Sequence, residues 1–141
     1  MRRSHAAGAE SRRLEALIAV LAREIAPGRD LAAVRLVVAE DGGWFRVAGD
    51  DGVDLTRRRA LRGVVARLVA RRLEAPGRPL SVDDVLEAGW PGERMSPESG
   101  ARRVYVTINR LRKLGFGELL LTTGDGYMLA PRVDVVQIAA G

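Results

Sequence analysis

The sequence predicts an α+β domain: an N-terminal helix, a small antiparallel sheet, a three-helix core and a closing β-hairpin. Three observations predict it. Apolar residues recur at helical spacing in four stretches and in short strand-like runs between them. Turn-forming clusters fall where the spacing changes: Pro27-Gly28, Asp41-Gly42-Gly43, the run 49–52, Pro76-Gly77 and Gly124-Asp125-Gly126. A chain of 141 residues that is 47% hydrophobic can bury about two-thirds of its unfolded surface, enough for a core without disulfide or metal staples.

Each element follows from its residues. Leu14, Leu17, Ile18, Leu21 and Ile25 make one face of an amphipathic helix from Ser11 to Ala26, stopped by Pro27-Gly28. Ala33 to Glu40 and Trp44 to Ala48 flank the Asp41-Gly42-Gly43 turn as a hairpin, and a second turn leads into a short strand, Val53 to Leu55. Thr56 is the expected N-cap of a helix running from Arg57 to about Glu74, with an apolar stripe of Leu61, Val64, Val65, Leu68 and Leu73. Ser81 caps a short helix reaching about Ala88. Ser96 followed by Pro97 caps the third core helix, expected over about 97–114. Leu119 to Thr123 and Tyr127 to Ala130 form the last hairpin, closed by Pro131. The expected division is a tail and amphipathic helix over 1–30, one domain over 31–135 and a tail over 136–141. Three helices with a short turn between the second and third, followed directly by a β-hairpin, make the winged helix-turn-helix arrangement.

Composition removes most chemistry. There is no cysteine, and the one histidine is His5, so no disulfide framework, thiolate zinc site or histidine metal cluster is expected. Apolar runs are far shorter than the roughly 20 residues of a membrane span, and no apolar signal segment follows the basic start, so a cytoplasmic, nucleoid-associated protein with no membrane partner is expected. The paired carboxylates Asp50-Asp51 and Asp83-Asp84 lie in a turn and in a helix first turn, where acids are favourable without catalysis. No enzyme activity and no cofactor are expected.

The net charge of +5 is unevenly distributed. Residues 57–113 carry 14 basic and 6 acidic side chains, net +8, between flanks of −1 and −2. A basic block of this kind is the electrostatic footprint of a polyanion partner. On a 100° wheel with Ile108 at zero, Ala101, Val104 and Leu111 lie within about 60° as the core side. The opposite arc carries Ser99, Arg102, Arg103, Val106, Asn109, Arg110 and Lys113. Such a face suits major-groove reading: Arg for guanine edges, Asn for adenine, a methyl-bearing side chain for thymine, Lys for phosphate. Arg57, Arg58 and Arg59 stand in the expected first turn of the preceding core helix. There each cation opposes the helix dipole by about 0.3–1 kcal/mol when exposed, which leaves two readings open: phosphate or acidic-partner contact, and simple solvation.

Three stretches carry a family resemblance: LSVDDVLEAGWPG at Leu80 to Gly92, RRVYVTINRLRKLG at Arg102 to Gly115, and LLLTTGDGYMLAP at Leu119 to Pro131. With VDLTRRRAL at Val53 to Leu61, they resemble, over about 44–131, the winged-helix effector domains of OmpR/PhoB-type response regulators and related bacterial transcriptional activators. The resemblance implies double-stranded DNA as partner, base contacts from Val106 and Arg110, backbone contacts from Arg102, Thr107, Asn109 and Arg112, and Trp90 close to the phosphates. The loop 89–95 is the expected surface for RNA polymerase. The chain departs from the pattern where Thr123 and Asp125 stand in place of a basic hairpin tip, and where Arg57 to Arg59 replace an acid. The roughly 30 residues ahead of the sheet are too few for a phosphoryl-receiving domain, so no phosphorylation switch is expected in them. Two roles are open for the N-terminal helix, packing on the sheet and pairing with a second copy as a homodimer. The competing function is a protein-interaction module that has lost DNA binding and docks an acidic partner.

Overall fold

The computed structural model describes residues 12–18 and 33–139. Residues 12–18 are helical (α1); the rest of the expected first helix, its Pro27-Gly28 stop and the N-terminal tail lie outside the described residues. The remaining elements are β1 (Val34–Ala39), β2 (Trp44–Val47), β3 (Val53–Asp54), α2 (Arg59–Glu74), α3 (Val82–Gly89), α4 (Pro97–Leu111), β4 (Leu120–Thr123), β5 (Gly126–Leu129) and β6 (Val133–Ile138). The architecture is mixed α+β, with a four-stranded sheet ordered β3-β2-β1-β6 and a separate β4-β5 hairpin.

The larger sheet is covered on both faces. Leu36 and Val38 of β1, Phe45 and Val47 of β2, and Val133 and Val135 of β6 point into the main core with the helices. On the opposite face Val37, Ile138, Val136 and Trp44 pack with Ala16 and Leu17 of α1. Burial from both sides explains why the VRLVVA strand carries almost no polar alternation. α1 therefore does pack on the sheet, while Leu14 and Ile18 on its other side stay 55% and 64% exposed.

β6 corrects the expected tail at 136–141. It pairs in parallel with β1 along its whole length, from Val34↔Val133 to Ala39↔Ile138. Arg35, only 3% exposed, forms an ion pair with Asp134 directly opposite it. Nothing local announces such a strand, because its partner lies about a hundred residues away and a parallel pair needs no hairpin turn.

Two helix starts obey the expected cap chemistry and one does not. The Ser81 hydroxyl accepts from the Asp84 N–H, and the Asp84 carboxylate accepts from the Ser81 N–H, both at 3.0 Å. Ser96 accepts from Ser99 N–H at 3.2 Å, with Pro97 in the first turn. Thr56, in contrast, caps nothing. Its N–H and hydroxyl are both drawn to the Asp54 carboxylate two residues back, so α2 starts at Arg59 with Arg58 at the N-cap and no side-chain cap. An aspartate two residues before a threonine offers a local turn that competes with capping.

The core closes around close approaches. At Gly63 a Cβ would lie 2.3 Å from the Ala88 carbonyl oxygen, so only glycine lets α2 and α3 cross this tightly. The Phe45 and Phe116 rings, with centroids 4.4 Å apart, join the sheet to the segment after α4. Past Leu111 the chain continues as a widened turn, Arg112–Phe116, broken at Gly115 with φ 153. At the C-terminal end of α2, Arg72 donates to the carbonyls of Leu129, Ala130 and Val133, and burial pushes its guanidinium pKa down. One side chain thus ties α2 to the hairpin and to β6.

Two outcomes follow. Replacing Arg72 with Met leaves three carbonyls without their charged donor, and should cost about 2–4 kcal/mol in urea unfolding. Asp84→Ala removes half of the capping box and should cost about 1 kcal/mol near neutral pH. The hydrogen bond from Ser81 holds the Asp84 carboxyl below its usual value. Its stabilisation is therefore complete above the unfolded carboxylate pKa of about 3.9 and is lost as pH falls below it. The wild-type protein should show a steeper stability loss than the variant between about pH 4 and 2.

Candidate nucleic-acid interface

α4 is buried along one side only. Gly100, Val104, Thr107, Ile108 and Leu111 are buried, whereas Ala101, Arg102, Tyr105, Val106, Arg110 and Lys113 are exposed. The buried arc is centred near Val104 and Leu111, a rotation of about 35° from the centre of the expected stripe. Gly100 lies on the shifted flank, where a Cβ would come within 2.8 Å of Leu86 Cδ1 at the α3–α4 contact. A residue without a side chain carries no hydrophobic signal, and so it is invisible to a periodicity count.

The rotation reassigns two residues. Ala101 moves from the expected core side to the surface. Thr107, expected at the DNA backbone, is 6% exposed and packs inward. Tyr105, which the sequence reading did not single out, is 64% exposed, and beside it Val106 is 49% exposed. The expected arc otherwise gathers as anticipated, with Arg102, Val106, Arg110 and Lys113 exposed and Asn109 half-buried. Among the described residues, Arg102, Arg110 and Lys113 form no ion pair.

Three other expected residues are committed elsewhere. Arg103 pairs with Glu93 at 3.1 Å, and its guanidinium lies 5.0 Å from the Trp90 ring centroid. Trp90 is the C-cap of α3, its N–H donating to the Leu86 carbonyl at 2.8 Å. The two residues therefore pin the loop 89–95 to α4. Arg112 donates from Nε and Nη2 to the Leu120 carbonyl at 3.1 and 2.7 Å, and from Nη2 to Thr122 Oγ1 at 2.9 Å. Its Nη1 also approaches Asn109 Oδ1 at 3.5 Å. The wheel placed Arg112 near the core; the structure uses it to fasten the hairpin to the end of α4.

A second cationic group converges with the helix face. Arg57, Arg58 and Arg59 are exposed, and no acid occupies the first turn of α2. Arg58, Arg59, Ala60, Leu61 and Arg110 line one open depression, so the start of α2 and the last turn of α4 meet around a shared basic surface. Upstream, the Thr56 hydroxyl and N–H hold the exposed Asp54 carboxyl below its usual pKa, with Arg57 adding a smaller electrostatic pull. The hairpin on the other flank carries no cation anywhere from Leu114 to Pro131. Its Gly126 has φ +150, and a Cβ there would lie 1.8 Å from the Leu80 carbonyl oxygen, so the residue must remain glycine for the Leu80–Tyr127 bridge to form.

The arrangement offers charge, hydrogen-bond donors and apolar contact on one exposed surface. Among the described residues no cluster of His, Cys, Asp and Glu could hold a metal ion, and no helix is long and apolar enough to cross a membrane. Arg112→Ala should destabilise the fold by about 1.5–3 kcal/mol through the lost charge-assisted bonds. Arg110→Ala should stay within about 0.5 kcal/mol of wild type, as an exposed position does. Parallel chemical-denaturation curves check the contrast. No protein-family model, curated protein or solved structure matches the chain.

Proposed function

We propose that this chain is a sequence-specific, double-stranded-DNA-binding transcription regulator of the winged helix-turn-helix type. In this reading α2, α3 and α4 form the helical core, β4 and β5 form the wing, and α4 enters the major groove. The observation that carries it is the outward face of α4, where Arg102, Arg110 and Lys113 stand exposed and unpaired beside Val106 and Asn109. Unpaired arginines next to an amide and a branched apolar side chain combine phosphate attraction with the donors and methyl contact needed at base edges.

The Arg58–Arg59–Arg110 depression supplies the sequence-independent part. It sits on the α2 flank of the recognition face, where a phosphate strand bordering the groove would pass. The four-stranded sheet separates α1 from the helical core, so the first helix does not compete for this surface. The pinned loop 89–95 presents a fixed surface for RNA polymerase, and a nucleoid-associated protein in the cytoplasm is the corresponding location.

Binding of selected duplex DNA should weaken linearly in log–log form with salt, with a slope of about −0.9 for each phosphate neutralised. Arg110→Ala should cost about 1–3 kcal/mol on the selected site and much less on random sequence. The alternative, an acidic protein docked on the same face, is separated by converting Arg102, Arg110 and Lys113 together to Glu. Loss of duplex binding with an intact fold supports the proposal; absence of duplex binding by the wild-type protein at low salt refutes it.

A further inference from the structure

The large apolar side chains left exposed among the described residues lie in three places: Leu14 and Ile18 on α1, Leu73 at the end of α2, and Tyr105 with Val106 on α4. On a 100° wheel Tyr105 stands about 115° from the centre of the buried arc of α4, and Arg110 about 105° from it in the opposite sense. The two are therefore opposite flanks of the outward face. Arg110 borders α2 through the depression it shares with Arg58 and Arg59. Tyr105, on the other flank, has Arg102 and Asn109 as its neighbours one turn away. Every other aromatic ring of the chain is engaged: Phe45 with Phe116, Trp90 with Arg103, and Trp44 and Tyr127 against the two cores. Among the described residues the Tyr105 ring has no such contact and its hydroxyl no hydrogen bond. Nor does the helix explain the residue, since tyrosine is a poorer helix former than alanine or arginine.

We infer that Tyr105 is a specificity-determining residue that places its ring against the 5-methyl group of a thymine, on the flank of the recognition face away from α2. This rests on the DNA-binding reading above. The reason lies in what the ring adds to its neighbours. Arg102, Asn109 and Arg110 can read donors and acceptors, whereas the thymine methyl is the one major-groove feature that offers neither and is detected only by an apolar surface. That methyl projects into the groove close to its own strand, where the flank of an inserted helix comes to lie rather than its centre. Covering it gains nothing on a sequence without thymine at that place, so the contact discriminates between sequences instead of adding general affinity. The ring supplies the contact and the hydroxyl is not needed for it, so phenylalanine would serve equally.

The test replaces the thymines of a selected duplex one at a time by deoxyuridine, which removes the methyl group and keeps the base pair and its O4 acceptor. Wild type, Tyr105→Phe and Tyr105→Ala, as full-length chains, are titrated with each of these duplexes and with a random-sequence duplex. The position is exposed, so folding should be unaffected, as far-ultraviolet circular dichroism would verify. Wild type should bind one of the deoxyuridine duplexes about fourfold more weakly than the parent. Tyr105→Phe should keep that penalty and Tyr105→Ala should abolish it, with random-duplex affinity nearly the same throughout. If wild type binds the selected duplex but Tyr105→Ala abolishes no methyl penalty, the inference is wrong and the DNA reading stands. If Tyr105→Phe weakens selected and random duplexes alike, the hydroxyl makes a backbone contact and the inference is equally wrong. If wild type binds neither duplex, both fall.

Discussion

The fork of Arg112 onto the Leu120 carbonyl and Thr122 hydroxyl is the contact on which the arrangement of the proposed interface depends. It emerges at the end of α4, where the helix loosens into a widened turn, and it fixes how far the hairpin stands from the helix face. Arg72 performs the complementary task from behind, gathering the carbonyls of Leu129, Ala130 and Val133 where the hairpin gives way to β6. A two-stranded hairpin has little stability of its own. Two guanidinium groups grip it from the base, Arg112 on β4 and Arg72 where β5 ends, and so set it against the end of α4.

Arginine thus does two physically different jobs in one chain. Some guanidinium groups are structural pins: Arg72 and Arg112 donate to main-chain carbonyls of the hairpin and its flank, Arg35 pairs with the Asp134 carboxylate across β1 and β6, and Arg103 is held by Glu93 and Trp90. Among the described residues Arg102, Arg110 and Lys113 form no ion pair, and their charge remains available. A net charge of +8 over residues 57–113 mixes both kinds. Only hydrogen-bond accounting on the folded chain separates them, and the residue set proposed for DNA is correspondingly smaller than the basic block.

Much of the fold was legible because its signals are local. Ser81 with Asp84, and Ser96 before Pro97, are complete cap statements within four residues, and both helices start where those statements place them. Glycine-rich turns likewise located β1–β2 and β4–β5. What escaped had non-local or silent causes. β6 depends on a partner about a hundred residues away; Thr56 lost its capping role to Asp54; and the buried arc of α4 is turned toward Gly100, which carries no side chain to signal it. That turn accounts for the inward placement of Thr107. The outline of the α4 face was readable in sequence because charge periodicity survives a rotation of about 35°, whereas assignments at its margins do not.

Among the described residues, nucleic-acid contact is assigned to α4 and the start of α2. Amide chemical-shift mapping by nuclear magnetic resonance, on addition of a selected duplex, tests this most directly. The account predicts perturbations concentrated at 99–113 and 57–61, with β4–β5 and the outer face of the large sheet little changed. Perturbations centred on the hairpin or on α1, or none at all with saturating duplex at low salt, would contradict it.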